Sequence, residues 1–228
     1  MKQLVLWLWI FIPLGLFSQT DQVSNTTNSR YFEDQFYAGL TYNFILNQPE
    51  GVNQQNISYG IQTGFIKDIP MNQKRTMGFG VGVGLGLYTY YTNIRALDSG
   101  NEISYEIVDG VEDFKRSKLE MHLVEFPLEF RWRNSDASTY SFWRIYAGVK
   151  LGYAFNARSK YVLENEKESF RNTDIKSFQY GLTFNFGYHN FNIHAYYSLT
   201  RLYNDGITLS GNDIEISPLR IGLVFYIL

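Results

Sequence analysis

No cysteine occurs among the 228 residues, which excludes disulfide staples, thiolate nucleophiles, thiol-ligated metals and a lipid-modified cysteine. Histidine is nearly absent too, with three copies. His194 and Ser198 share one face of a strand but lie roughly 13 Å apart, too far to bond. His122 has no serine two residues away, and His189 falls in a tight turn. Nothing places a nucleophile beside a base or gathers metal ligands, so no catalytic residue, cofactor or metal is expected. An excess of one charge is also missing: 20 basic residues meet 22 acidic ones, and no nucleic acid or other polyanion is implied as a partner. A mean hydropathy of −0.23 is too polar for a helical membrane protein.

What is present is aromatic and glycine-rich: 18 Tyr, 18 Phe and 19 Gly, a composition of strands. About eight segments alternate with a period of two, the mark of a strand with two unlike faces. In residues 36–44, Phe36, Ala38, Leu40, Tyr42 and Phe44 oppose Tyr37, Gly39, Thr41 and Asn43. Residues 57–65 follow suit. In GFGVGVGLGL (78–87), Phe79, Val81, Val83, Leu85 and Leu87 alternate with glycines. A phosphate-cradling loop is excluded there, because no Lys-Ser/Thr on a helix follows. Further on, Val124, Phe126, Leu128, Phe130 and Trp132 oppose Glu125, Pro127, Glu129 and Arg131, while residues 143–156 put Arg144, Tyr146, Lys150 and Asn156 on the polar face. Residues 178–187, 191–200 and 219–228 complete the set.

The connections alternate between short (68–74, 133–141, 189–190) and long, polar ones (46–55, 93–117, 159–176, 203–217). Outer-membrane barrels are built that way, with the short set periplasmic. The expected fold is all-β: an eight-stranded antiparallel transmembrane up-and-down β-barrel over residues 34–228. Lys2, an apolar run over 4–17 and Ser18 predict a cleaved signal peptide over 1–18, followed by a flexible periplasmic leader over 19–33. The final LRIGLVFYIL has the form of a barrel insertion signal, carried by Arg220, Gly222, Phe225 and Ile227. A soluble lipocalin-like barrel would alternate in the same way with its apolar face inward. Against it, several segments reach the roughly 9–11 residues that cross a bilayer. Trp132, Trp143, Tyr88, Tyr90 and Tyr153 also stand near strand ends, where interfacial aromatics belong. The expected location is the outer membrane, with its lipid as one partner.

Eight strands enclose an interior that side chains fill, so neither a solute pore nor a protein conduit is expected. The candidate lumen charges are Glu125, Glu129, Arg131, Arg144 and Lys150. A hairpin around residues 133–141 would set Glu125 opposite Lys150 and Glu129 diagonal to Arg144. Such pairs either fasten the barrel or act as a gate.

The runs LVEFPLEFRWR (123–133), FWRIYAGVKLGY (142–153) and NTDIKSFQYGL (172–182), with LRIGLVFYIL, resemble the PorT/SprT family of small outer-membrane barrels over most of the chain after about residue 117. The resemblance implies participation in type IX protein secretion, an export route that also serves gliding motility in some bacteria, and it brings no catalytic residues. With a filled lumen, the implied role is an accessory one: assembly, stabilisation or scaffolding. Contacts to other secretion proteins would run through periplasmic turns or outer loops, with residues 101–114 and 160–176 as candidate surfaces. A structural or adhesive surface barrel shares every fold-level feature; a lipid-modifying enzyme is a more distant alternative.

Overall fold

The computed structural model describes residues 35–100, 102–108, 114–134, 143–164, 166–188 and 191–227. The expected signal peptide and leader lie outside these residues, as does the 189–190 turn with His189. Among the described residues eight long strands build one sheet: β1 Gln35–Leu46, β2 Tyr59–Pro70, β3 Met77–Thr92, β4 Phe114–Arg133, β5 Trp143–Leu163, β6 Phe178–Tyr188, β7 Phe191–Ser198 and β8 Ser217–Ile227. Each pairs antiparallel with its neighbours along the chain. β1 also pairs with β8, from Phe36↔Ile227 to Leu46↔Ser217, and the sheet closes on itself. Closure leaves no open edge in a layer that offers backbone groups no water. This is the expected eight-stranded up-and-down barrel.

The alternation sorts the faces as expected. On β1, Gln35, Tyr37, Thr41 and Asn43 are buried while Phe36, Leu40 and Phe44 face outward. On β8, Arg220, Val224 and Tyr226 are buried while Ile221, Leu223 and Ile227 face outward. β1, β2, β6 and β8 have 11 or 12 residues. At a tilt of about 45° such strands rise roughly 25–28 Å, the height of the apolar band of an outer-membrane barrel.

β4 and β5 overrun that band furthest. β4 has 20 residues and β5 has 21, so parts of the expected loops 93–117 and 159–176 are strand. They escape an outward-apolar pattern because the pattern inverts above the lipid: Leu119, Met121 and Leu123 point inward, and Lys118 and Glu120 point out. β5 inverts through a bulge. His122 pairs with Asn156 but Leu123 pairs with Ala154, so Phe155 is the extra residue and the parity flips. Asn156, expected on the inner face, thereby turns outward, with its Nδ2 3.5 Å from His122 Nδ1.

The long connections fold as well. Ile94–Asp98 pairs with Ile103–Ile107, Lys167–Arg171 extends the sheet beyond β5, and Thr208–Leu209 pairs with Asn212–Asp213. Ile94, Ile175, Leu202, Leu209, Ile214 and Ile216 join Ile45, Leu119 and Met121 in one apolar cluster, a cap over the long-loop mouth. Tyr88 and Tyr90, expected at the lipid interface, are also in that cluster, because they continue the inward row of β3 glycines. Trp132, Trp143 and Tyr153 do face outward.

Gly222 sits on the closing seam opposite Thr41. A Cβ there would collide with the Leu40 carbonyl oxygen and lie 2.6 Å from Thr41 Cα, backbone atoms that cannot swing aside. Gly222→Ala is expected to cost about 1–3 kcal/mol. It should lower the melting temperature and the fraction of fast-migrating folded protein on unheated denaturing gels.

Candidate functional site

The inward rows of all eight strands meet in a lumen that, among the described residues, carries eight charged side chains: Asp68 from β2, Glu125, Glu129, Arg131 and Arg133 from β4, Arg144 and Lys150 from β5, and Arg220 from β8. None exposes more than 4% of its surface. Buried ions of this kind persist only when paired and hydrogen-bonded, and here they are arranged in layers.

Nearest the short turns, Asp68 holds two arginines: Arg131 Nη1 at 3.2 Å and Arg133 Nη2 at 2.8 Å. Arg131 also donates from Nε to Glu129 at 3.1 Å and from Nη1 to Gln35 at 3.3 Å. Arg133 Nε donates to the Arg75 carbonyl at 2.6 Å. In the middle layer, Glu129 accepts from Asn185 Nδ2 at 3.3 Å, and Asn185 Oδ1 lies 2.6 Å from His194 Nδ1. Lys150 Nζ sits 3.2 Å from Glu125 and 2.5 Å from Gln62 Oε1. Toward the cap, Glu125 accepts from Tyr88 Oη at 2.7 Å and faces Arg220 at 3.5 Å.

Four of the five cations thus meet the three carboxylates, and aromatic faces add contacts to two of these four. The Arg220 guanidinium lies 3.4 Å from the Tyr88 ring centroid and 4.5 Å from that of Tyr196, and Arg131 lies 4.5 Å from that of Tyr146. Desolvated cation–π contacts of this geometry are worth about 2 kcal/mol each. The glycine row of β3 makes room for these groups. A Cβ on Gly80 would meet Arg131 Nε at 2.6 Å, and one on Gly84 would collide with Tyr37 Oη. Between these groups lies a cavity of about 10 Å³ lined by Tyr37, Gln62, Glu129, Lys150, Asn185 and His194. That is at most one water molecule. Above it, the cap closes the long-loop end, where Tyr105 donates to Asp174 at 3.0 Å. Burial pushes the Tyr105 and Tyr203 hydroxyls well above their usual range and keeps them protonated.

All five expected lumen charges point inward, but their pairing differs from expectation. Glu125 is opposite Gly152 rather than Lys150, which pairs with Pro127. The hairpin register is displaced by two residues, so faces are kept and Lys150 still reaches Glu125 diagonally. Glu129 is opposite Gly148 and meets Arg131 and Asn185 in place of Arg144, which stands opposite Arg133 with its guanidinium 6.0 Å from the Tyr226 ring centroid. Arg220 belongs to the lumen, Phe225 stacks edge-on against Phe191 at 5.1 Å, and Ile227 faces outward. Asp68 and Arg133 fall at the first positions of what read as short connections. Carrying the inward row Gly60, Gln62, Gly64 and Ile66 two residues further would have found Asp68.

Asp68→Asn leaves two buried arginines without their shared anion. Unfolding in detergent, followed by heat or urea, should show a loss of about 3–5 kcal/mol.

The sequence matches the outer membrane protein beta-barrel domain over residues 17–204. No curated protein matches it. Among solved structures it is similar to Ail, the attachment invasion locus protein of Yersinia pestis, at 14% identity over 85% of this chain and 97% of that one, with a TM-score of 0.37. Ail in complex with the heparin analogue sucrose octasulfate gives 14% identity, the same coverage and a TM-score of 0.39. A triple mutant of the Rhodopseudomonas blastica porin gives 9% identity over 86% of this chain and 100% of that one, with a TM-score of 0.22. The domain match spans most of the present chain's length and agrees with the closed, lipid-facing sheet: the chain belongs to the outer membrane protein beta-barrel domain family and resides in the outer membrane.

Proposed function

We propose that this barrel is an accessory component of type IX protein secretion, an assembly, stabilising or scaffold subunit whose lumen passes no cargo. The observation that carries this reading is an interior occupied by buried side chains, among them Arg131, Arg144, Tyr146 and Arg220, below an apolar cap. A subunit of an export route that cannot conduct must act through its surfaces. Its wall faces lipid, which leaves the cap and the short turns for contacts with other secretion proteins. The runs that resemble the PorT/SprT family supply Glu125, Glu129, Arg131, Arg133, Arg144 and Lys150, most of the buried charge. The resemblance therefore takes in the residues that plug the barrel as well as the lipid-facing row beside them.

Deleting the gene is expected to abolish export of type IX cargo while the outer membrane stays intact, read by immunoblot of the culture medium. Normal export would refute the accessory role and leave an adhesive or structural surface barrel. Glu129→Gln separates fastening from gating. The expected result is unchanged export with a melting temperature lowered by several degrees, since about 1–3 kcal/mol of buried hydrogen bonding is lost. Lost export at an unchanged melting temperature would make the lumen charges a gate.

A further inference from the structure

Above the lipid band, the outward faces of β4, β5 and the Lys167–Arg171 strand form one continuous sheet face. Its register sets Lys118 opposite Lys160, Glu120 opposite Arg158, and Arg158 opposite Arg171. Glu120 is shared by Lys118 and Lys160, each at 2.5 Å. Burial favours its neutral form, but the two ammonium groups outweigh that and hold its pKa below the usual carboxylate value. Both lysines are thereby satisfied. Arg158 and Arg171 are exposed, stand directly across from one another, and have no ion-pair partner among the described residues. Like charges directly opposite on a sheet destabilise it unless an anion lies between them. Glu168 does not serve, because it turns to the other face and pairs with Arg95 at 3.4 Å.

Height fixes the chemistry of that anion. Three residues below Arg158 on β5 is Phe155, at the rim of the outward apolar band with Tyr153 and Phe178. Three residues of tilted strand rise roughly 7 Å, and the headgroup layer is roughly 5–8 Å deep on each side of the hydrocarbon. The two guanidinium groups therefore stand at the level of lipid phosphates. Each presents a planar fork of donors suited to two phosphate oxygens, which a lysine pair would not.

We propose that Arg158 and Arg171 clamp a phosphate of an anionic lipid headgroup in the leaflet on the long-loop side, while the acyl chains lie along Tyr153, Phe155 and Phe178. This site is independent of the secretion reading.

The test uses the full chain folded in phosphatidylcholine vesicles doped with diphosphorylated lipid A, with lipid retained after detergent extraction counted by native mass spectrometry. The wild-type protein is expected to retain lipid A over phosphatidylcholine by about ten-fold, and the double variant Arg158→Gln, Arg171→Gln to lose that preference. Both arginines lie outside the lipid band, so heat-modifiable migration should be unchanged in the variant. Three results would overturn the proposal: equal retention by the variant, equal retention of dephosphorylated lipid A by the wild type, or displacement by inorganic phosphate at matching concentration, which would mark a site for a free anion. The dephosphorylated-lipid arm needs no variant and decides the matter even if the double substitution impairs folding.

Discussion

Pairing of β1 with β8 closes the sheet, and every other feature of the barrel follows from that closure. In hydrocarbon an unpaired strand edge exposes a row of backbone donors and acceptors with no solvent to satisfy them, each at a cost of several kcal/mol. Pairing Phe36–Leu46 with Ser217–Ile227 removes that edge and fixes the number of strands around the barrel. Eight strands in turn fix the bore, and a bore of that width must be filled by its own side chains. Tyr37, Arg131, Tyr146, Arg220 and Tyr226 fill it, with glycines on β3 giving way where the larger groups cross.

Filling a narrow lumen with polar residues makes charge balance a matter of stability. Asp68 between two arginines, Glu129 between Arg131 and Asn185, and Glu125 among Lys150, Tyr88 and Arg220 are successive layers in which each carboxylate serves more than one partner. Ring faces of Tyr88, Tyr146 and Tyr196 add cation–π contacts to Arg220 and Arg131, which the carboxylates also hold. The same residues that fill the interior thus also fasten it.

The chain also obeys two solvents in succession. Within the band, apolar residues face out and polar residues in; on the upper parts of β4 and β5 the rule reverses, with Leu119, Met121, Ala157 and Tyr161 inside and Lys118, Glu120, Arg158 and Lys160 outside. The bulge at Phe155 is the device by which β5 changes over, since an extra residue exchanges its two faces without breaking the strand. The reversal marks the lipid boundary on the protein itself.

The barrel is legible in local periodicity: a period of two with an apolar row, repeated eight times, leaves little choice once lipid lies outside, and the same parity puts Glu125, Glu129, Arg131, Arg144 and Lys150 in the lumen. Parity is a local property, so it can be read residue by residue along Phe36–Phe44 or Val124–Trp132. Pairing is not local. That Lys150 meets Glu125 across a diagonal, that Asp68 joins Arg131 and Arg133, and that Arg220 lies against Tyr88 depend on register and on strands far apart in the chain. The turn of Asn156 toward His122 depends on one unpaired residue that no hydropathy pattern records. Only the closed sheet decided these contacts, because it alone sets which inward residues stand at the same height around the bore.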